Sequence, residues 1–231
     1  MIEIIPAIMP KTTEELDSAV SLVRGAVDYV QVDVMDGKFV PDQSWPFPNF
    51  EIEIAPFLNE DKGLPFWSDI NYEFDLMIQT PEKFVEKFIG IGGGRIIIHY
   101  ESADKEKIWE AVRKTQDMNT EVGLAIDTTT QNEVLDEFLT DENPIDFVQF
   151  MGIAKIGYQG EPFDERVIPK IKALRVKYPD IMISVDGGVG FKSAPLLREA
   201  GANRLVSGSA IFGSGDSREA IRELGTLENN N

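Results

Sequence analysis

The sequence predicts an α/β fold in which eight parallel strands close into a barrel surrounded by helices. Eight short runs of apolar and β-branched residues recur along the 231 residues, and helix-like segments separate them. The spacing of about 29 residues per strand-and-helix unit matches one βαβ crossover, and eight units complete a (β/α)8 (TIM) barrel. A doubly wound open sheet competes with it, but the count of eight and the lack of a composition break favour the barrel. We therefore expect one domain over residues 1–226 and a polar tail over 227–231.

The individual elements follow from the same alternation. The predicted strands are Ile2 to Ile8, Tyr29 to Val34, Tyr72 to Ile78, Arg95 to His99, Glu121 to Ile126, Ile145 to Met151, Ile181 to Val185 and Arg204 to Val206. The predicted helices are Thr13 to Arg24, Pro81 to Ile89, Ala103 to Thr115, Gln131 to Leu139, Glu165 to Tyr178, Ser193 to Ala200 and Ser217 to Leu224. Five prolines between residues 40 and 69 interrupt any long helix, so irregular loop and one short helix are expected there.

Composition excludes several classes of function. With 22 Lys and Arg against 40 Asp and Glu, the net charge is −18, which gives no bulk attraction to nucleic acid or to an acidic membrane. The absence of Cys excludes disulfides, Cys-bound zinc and thiol nucleophiles, and the single histidine, His99, excludes a His cluster. The N-terminal segment turns acidic and polar after nine residues, so it has neither the charged start nor the long apolar run of a signal peptide or membrane anchor. We expect no nucleic-acid partner, no membrane partner and a cytoplasmic location.

Carboxylates at three predicted strand ends are the candidate chemical groups. In the second strand, the alternation of side chains turns the valines towards the helices and Gln31 and Asp33 towards the barrel interior. The same alternation places Asp75 inward on the third strand, and the seventh strand ends at Asp186. Because barrel active sites lie at the carboxyl ends of the strands, we expect these three carboxylates to converge.

Glycines after the last two strands are the candidate anion site. Gly187 and Gly188 follow the seventh strand, and Gly208 and Ser209 follow the eighth. Glycines let backbone N–H groups approach a ligand closely, and these two loops are the usual phosphate site of the barrel. The pairing predicts a phosphorylated small molecule, held locally by a chain of charge −18.

Four segments carry a resemblance to a known family. They are VDVMDGKFVP at 32–41, Leu76-Met77, VDGG at 185–188 and GSAIFG at 208–213. In this order they resemble the signature segments of the ribulose-phosphate 3-epimerase family, and the similarity covers nearly the whole chain. The resemblance implies a barrel of the ribulose-phosphate-binding type and an isomerase of carbohydrate metabolism, in the pentose phosphate pathway. It also implies interconversion of ribulose 5-phosphate and xylulose 5-phosphate, or a related ketose phosphate, through an enediolate.

The resemblance assigns roles to particular residues. Asp33 and Asp186 map onto the two aspartates that exchange the C3 proton from opposite faces of the substrate. The methionines that pack against the planar intermediate map onto Met35, Met77 and Met151. Phosphate-binding positions fall on Gly187, Gly188, Gly208 and Ser209.

The expected metal shell departs from the family. Relatives hold a divalent metal with two histidines and two aspartates, but the histidine positions are Gln31 and Asp75 in this chain. An early serine is Ala7, and the lid after the sixth strand reads AKIGYQG over 154–160. Gln31, Asp33, Asp75 and Asp186 would form an all-oxygen site, which suits Mg²⁺ or Mn²⁺ better than Zn²⁺.

Three hypotheses accommodate these departures. The first is an epimerase with an altered metal shell, in which a cation relieves the repulsion between three carboxylates. The second is a metal-free epimerase or isomerase of a sugar phosphate, with Lys155 delivered by the lid to stabilise charge. The third is a non-catalytic sugar-phosphate-binding protein. We interpret His99 as a hydrogen-bonded strand-end residue outside the metal set, and a homo-oligomer is compatible with every alternative.

Overall fold

A computed structural model describes residues 2–140, 145–158 and 160–226 and confirms the barrel. Eight parallel strands hydrogen-bond in chain order and close into a barrel. The strands are β1 Glu3–Ile8, β2 Tyr29–Met35, β3 Asn71–Met77, β4 Gly93–His99, β5 Glu121–Ile126, β6 Phe147–Met151, β7 Met182–Asp186 and β8 Arg204–Ser207. All eight predicted strands are confirmed, with ends within two residues of those expected.

Helices follow most strands. They are α1 Thr13–Val23, α2 Phe50–Leu58, α3 Val85–Gly90, α4 Lys105–Asp117, α5 Val167–Lys177, α6 Ala194–Ala200, α7 Ser209–Phe212 and α8 Ser217–Thr226. Single 3₁₀ turns occupy Pro81–Lys83, Tyr100–Ser102 and Asn132–Leu135. The predicted polar tail at 227–231 lies outside the described residues, and the single-domain assignment stays a prediction.

The residue contacts divide the chain into two compact units. The early unit spans Pro6–Val122, and the late unit joins Met1–Ile5 to Gly123–Asn231.

In the early unit, side-chain alternation on β2 and β3 sets the two faces of the sheet. The strands pair in register, with Asp33 opposite Asp75 and Met35 opposite Met77. Phe74 packs on Phe88 of α3, with ring centroids 5.0 Å apart. Because neighbouring residues of a strand point to opposite faces, Asp75 points away from α3, as the sequence predicted.

Local sequence signals position the other elements of the early unit. Thr12 caps α1 by accepting a hydrogen bond from the Glu15 N–H, as its Thr-x-x-Glu pattern predicts. The proline-rich stretch contains irregular loop and the short helix α2, which confirms that expectation. Phe50 of α2 packs edge-on against Phe84, with ring centroids 4.9 Å apart, and anchors the stretch.

In the late unit, one predicted helix is wrong. Residues 131–139 form only the 3₁₀ turn Asn132–Leu135 and tight turns after it, not a helix from Gln131 to Leu139. Leu135 and Phe138, three residues apart, are both fully buried. In 3₁₀ geometry, with three residues per turn, a spacing of three places both side chains on one face. The 3₁₀ turn can therefore bury both side chains in the core without an α-helix.

Candidate active site

Two carboxylates meet near the carboxyl ends of β2 and β3. Asp33 is 6% exposed and Asp75 is fully buried, and an oxygen of one lies within 4.8 Å of an oxygen of the other. The Gln31 Nε2 donates a hydrogen bond to Asp33 Oδ1 at 2.7 Å. Within the early unit, the structure therefore brings together Gln31, Asp33 and Asp75, which the sequence predicted as metal-site residues.

The only histidine of the chain contacts one carboxylate of this pair, Asp75. His99, the last residue of β4, has its Nε2 2.9 Å from Asp75 Oδ1, and neither side chain is exposed. The expectation of a hydrogen-bonded strand-end histidine is confirmed. Its partner is a candidate site residue, which the sequence interpretation did not foresee.

The loop after β2 is fixed by two residues that sequence reasoning missed. Asp36 Oδ1 accepts from the backbone N–H groups of Lys38 and Phe39, and its Oδ2 accepts from that of Gln79. Ser44 Oγ donates to the Asp33 carbonyl at 2.6 Å. An Asp-Gly pair directly after a strand is a turn signal that could have identified Asp36.

The three candidate methionines are all buried. Met35 and Met77 are opposite each other on β2 and β3, and Met151 ends β6 in the late unit. Their proposed contact with a planar intermediate stays a prediction.

In the late unit, β7 ends at Asp186, which is 8% exposed. The Gly152 N–H donates to the Asp186 carbonyl at 2.6 Å. Gly188 has φ +66°, and a Cβ there would lie 2.7 Å from Phe163 Cα. Only glycine fits this turn without backbone movement. That Asp186 converges with Asp33 and Asp75 stays a prediction.

The loops after β7 and β8 are adjacent, as the strand order predicted. Ser207 Oγ donates to the Val189 carbonyl at 2.8 Å, and a Cβ on Gly190 would lie 3.8 Å from Ala210 Cβ. Gly208 is the N-cap residue of α7, and the exposed Ser209 begins that helix. Backbone N–H groups at such a helix start can receive an anion.

The segment after β6 carries Lys155, which is exposed. Farther along, the Asp164 N–H donates to the Gly152 carbonyl at 2.8 Å and ties the two ends of the segment together. Hydrogen bonds from Arg166 hold the pKa of Asp164 below its ordinary value. Delivery of Lys155 to a substrate stays a prediction.

Comparison with known proteins decides the family. Residues 3–212 match the ribulose-phosphate 3 epimerase family. The chain belongs to that family. It is 30% identical over 230 residues to ribulose-phosphate 3-epimerase of Bacillus subtilis, covering 97% of this chain and 98% of that protein. It is 32% identical over 224 residues to the chloroplastic ribulose-5-phosphate-3-epimerase of Arabidopsis thaliana, covering 95% and 74%.

Solved structures of other enzymes share the fold of this epimerase-family member. A 3-hexulose-6-phosphate synthase matches with a TM-score of 0.67 and 20% identity, over 96% of this chain and 98% of that one. The 3-keto-L-gulonate-6-phosphate decarboxylase of Vibrio cholerae matches with a TM-score of 0.68 and 13% identity, over 97% and 95%. At these identities the likeness establishes the barrel alone.

The donor set of this epimerase-family member fits a divalent cation. Asp33 and Asp75 are buried acidic groups within reach of a shared ion, and carboxylate oxygens are the ligands that Mg²⁺ and Mn²⁺ prefer. By family the chain is a carbohydrate-phosphate epimerase.

Within the described ranges, none of the helices has the length and apolar character needed to cross a membrane.

Proposed function

We propose that this protein interconverts ribulose 5-phosphate and xylulose 5-phosphate by inverting C3 through an enediolate. The observation that carries the proposal is the family match over residues 3–212, in a chain that keeps buried aspartates at the ends of β2 and β7. In a closed parallel barrel the carboxyl ends of all strands lie at one end. Asp33 and Asp186 are therefore proposed as the acid/base pair.

The chemistry requires two groups of this kind. The C3 proton is acidic because it lies next to the C2 carbonyl, and inversion needs one group to remove it and another to return a proton on the opposite face. As Asp33 takes the proton, the C3–H electron pair forms a C2–C3 double bond and the C2 carbonyl pair moves onto its oxygen. Asp186, in its protonated form, then gives its proton to the other face of C3 as the C2 carbonyl forms again and Asp186 becomes a carboxylate. The roles are exchanged in the reverse direction. The Gln31 amide, bonded to Asp33 Oδ1, orients that carboxylate.

Other residues bind and shield the substrate in this proposal. The N–H groups of Gly187, Gly188, Gly208 and Ser209 hold the phosphate, and a site of uncharged backbone donors suits a strongly acidic protein. Met35, Met77 and Met151 contact the flat intermediate with polarizable, apolar side chains. Lys155, in the lid segment after β6, neutralises part of the negative charge of the intermediate.

We also propose a divalent cation, Mg²⁺ or Mn²⁺, held by Asp33, Asp75, Asp186 and Gln31. Bound there, it would stabilise the negative charge on the enediolate oxygens. It would also offset the repulsion between Asp33 and Asp75, whose oxygens lie within 4.8 Å. A cytoplasmic location and a step in pentose phosphate interconversion complete the proposal.

Conversion of ribulose 5-phosphate, followed by NMR, tests the proposal. Protein purified without chelator is mixed with the ketose phosphate, and signals of xylulose 5-phosphate should appear until equilibrium. Chelator should stop the reaction, and Mg²⁺ or Mn²⁺ should restore it. Free ribulose, which lacks the phosphate, should react far more slowly. Binding of the phosphate ester without conversion would favour a sugar-phosphate sensor and contradict the proposed reaction.

A further inference from the structure

The two neighbouring carboxylates of the early unit each have a side chain within hydrogen-bond distance. Gln31 Nε2 contacts Asp33 Oδ1 at 2.7 Å, and His99 Nε2 lies 2.9 Å from Asp75 Oδ1. At this distance an imidazole N–H donates to a carboxylate oxygen when Nε2 carries the ring proton. In that tautomer the imidazole bonds to the carboxylate and does not offer that nitrogen to a cation.

We infer that His99 is a positioning residue whose Nε2–H fixes the Asp75 carboxylate for cation binding beside Asp33. The inference rests on the proposed function, because it concerns the same site. In this role the imidazole does not bind the cation itself. It orients the Asp75 carboxylate, which does.

The surroundings of His99 suit such a role. Its ring lies against Phe39, with centroids 5.4 Å apart, and its carbonyl accepts from Ser102 Oγ at 2.7 Å. Both the backbone and the ring are thereby held. Asp75 has no exposed surface, so its orientation depends on protein donors more than on bulk water. A rigid donor at this place lowers the cost of ordering the carboxylate when a cation binds.

The inference can be tested on one set of imidazole signals, because His99 is the only histidine. In ¹⁵N-labelled protein, NMR should show the Nε2–H tautomer, with a slowly exchanging ring proton that is lost in Asp75→Ala. Adding Mg²⁺ alone should shift these signals. The Nδ1–H tautomer, or ring signals unchanged in Asp75→Ala, would overturn the inference.

Titration calorimetry with Mn²⁺ alone gives the second readout. His99→Phe, which fills the space without a donor, should weaken Mn²⁺ binding about 10- to 100-fold. His99→Gln keeps a side-chain N–H, and its affinity should lie much closer to that of the wild type. Thr115→Val removes a polar group from a fully buried position on α4 and should leave the affinity unchanged.

The outcomes separate the inference from the proposed function. Wild-type Mn²⁺ affinity in folded His99→Phe overturns the inference, and so does conversion of substrate by a wild type that binds no metal. Should His99→Phe misfold, an affinity for His99→Gln as weak as that of Asp75→Ala overturns it instead. If the histidine variants behave as expected but the wild type converts no ketose phosphate, the inference stands and the proposed function fails.

Discussion

The two units of the chain carry candidate functional residues of different kinds. In the early unit they are side chains, chiefly Asp33, Asp75 and His99, on the faces of paired strands. In the late unit they are largely glycines, apart from Asp186. Strand geometry tolerates many side chains, whereas Gly188 has a positive φ and no room for a Cβ. The residue types at the candidate metal-binding positions can therefore change in the early unit, while the late unit keeps its glycine motif.

A bulky residue in the glycine loops of the late unit should weaken substrate binding more than a charge change in the early unit does. Gly208 has φ −100°, so Gly208→Val obstructs an anion without forcing a left-handed backbone. The KM for ribulose 5-phosphate should rise at least ~10-fold, equivalent to about 1.4 kcal/mol of lost binding. Gly215→Val is the matched control, because a Cβ there meets no atom within 4 Å. An unchanged KM in folded Gly208→Val would place the phosphate elsewhere.

A charge change in the early unit should act on metal-dependent stability. Asp75→Asn keeps an oxygen for His99 and removes the charge. With Mn²⁺ at about 100 times its Kd, the wild type should gain about 2.7 kcal/mol, or roughly 5–10 °C in Tm, and Asp75→Asn should gain far less. A metal-free site gives the opposite pattern: Mn²⁺ has no effect on either protein, and Asp75→Asn melts above the wild type because repulsion from Asp33 is relieved.

Sequence reasoning predicted what depends on local pattern. The eight strands, the shared face of Gln31 and Asp33 and the adjacent glycine loops all follow from side-chain period and strand order. The contact between Asp75 and His99 depends instead on register. An irregularity at Tyr72/Glu73 shifts the pairing of β3 with β4, and a slip of one residue decides which face meets Asp75. The 3₁₀ turn Asn132–Leu135 likewise depends on core packing that propensity does not encode.

Deuterium exchange at C3 in D₂O tests the two-aspartate mechanism most directly. Wild type should label C3 of both ribulose 5-phosphate and xylulose 5-phosphate. Asp33→Asn and Asp186→Asn should each lower epimerisation by ~10² to 10⁴ while substrate still binds. Each variant keeps one base on one face of the substrate, so each should still exchange the C3 proton of one epimer only. One variant should label ribulose 5-phosphate and the other xylulose 5-phosphate. Epimerisation at the wild-type rate in either folded variant, or exchange of the same epimer by both, would contradict the account.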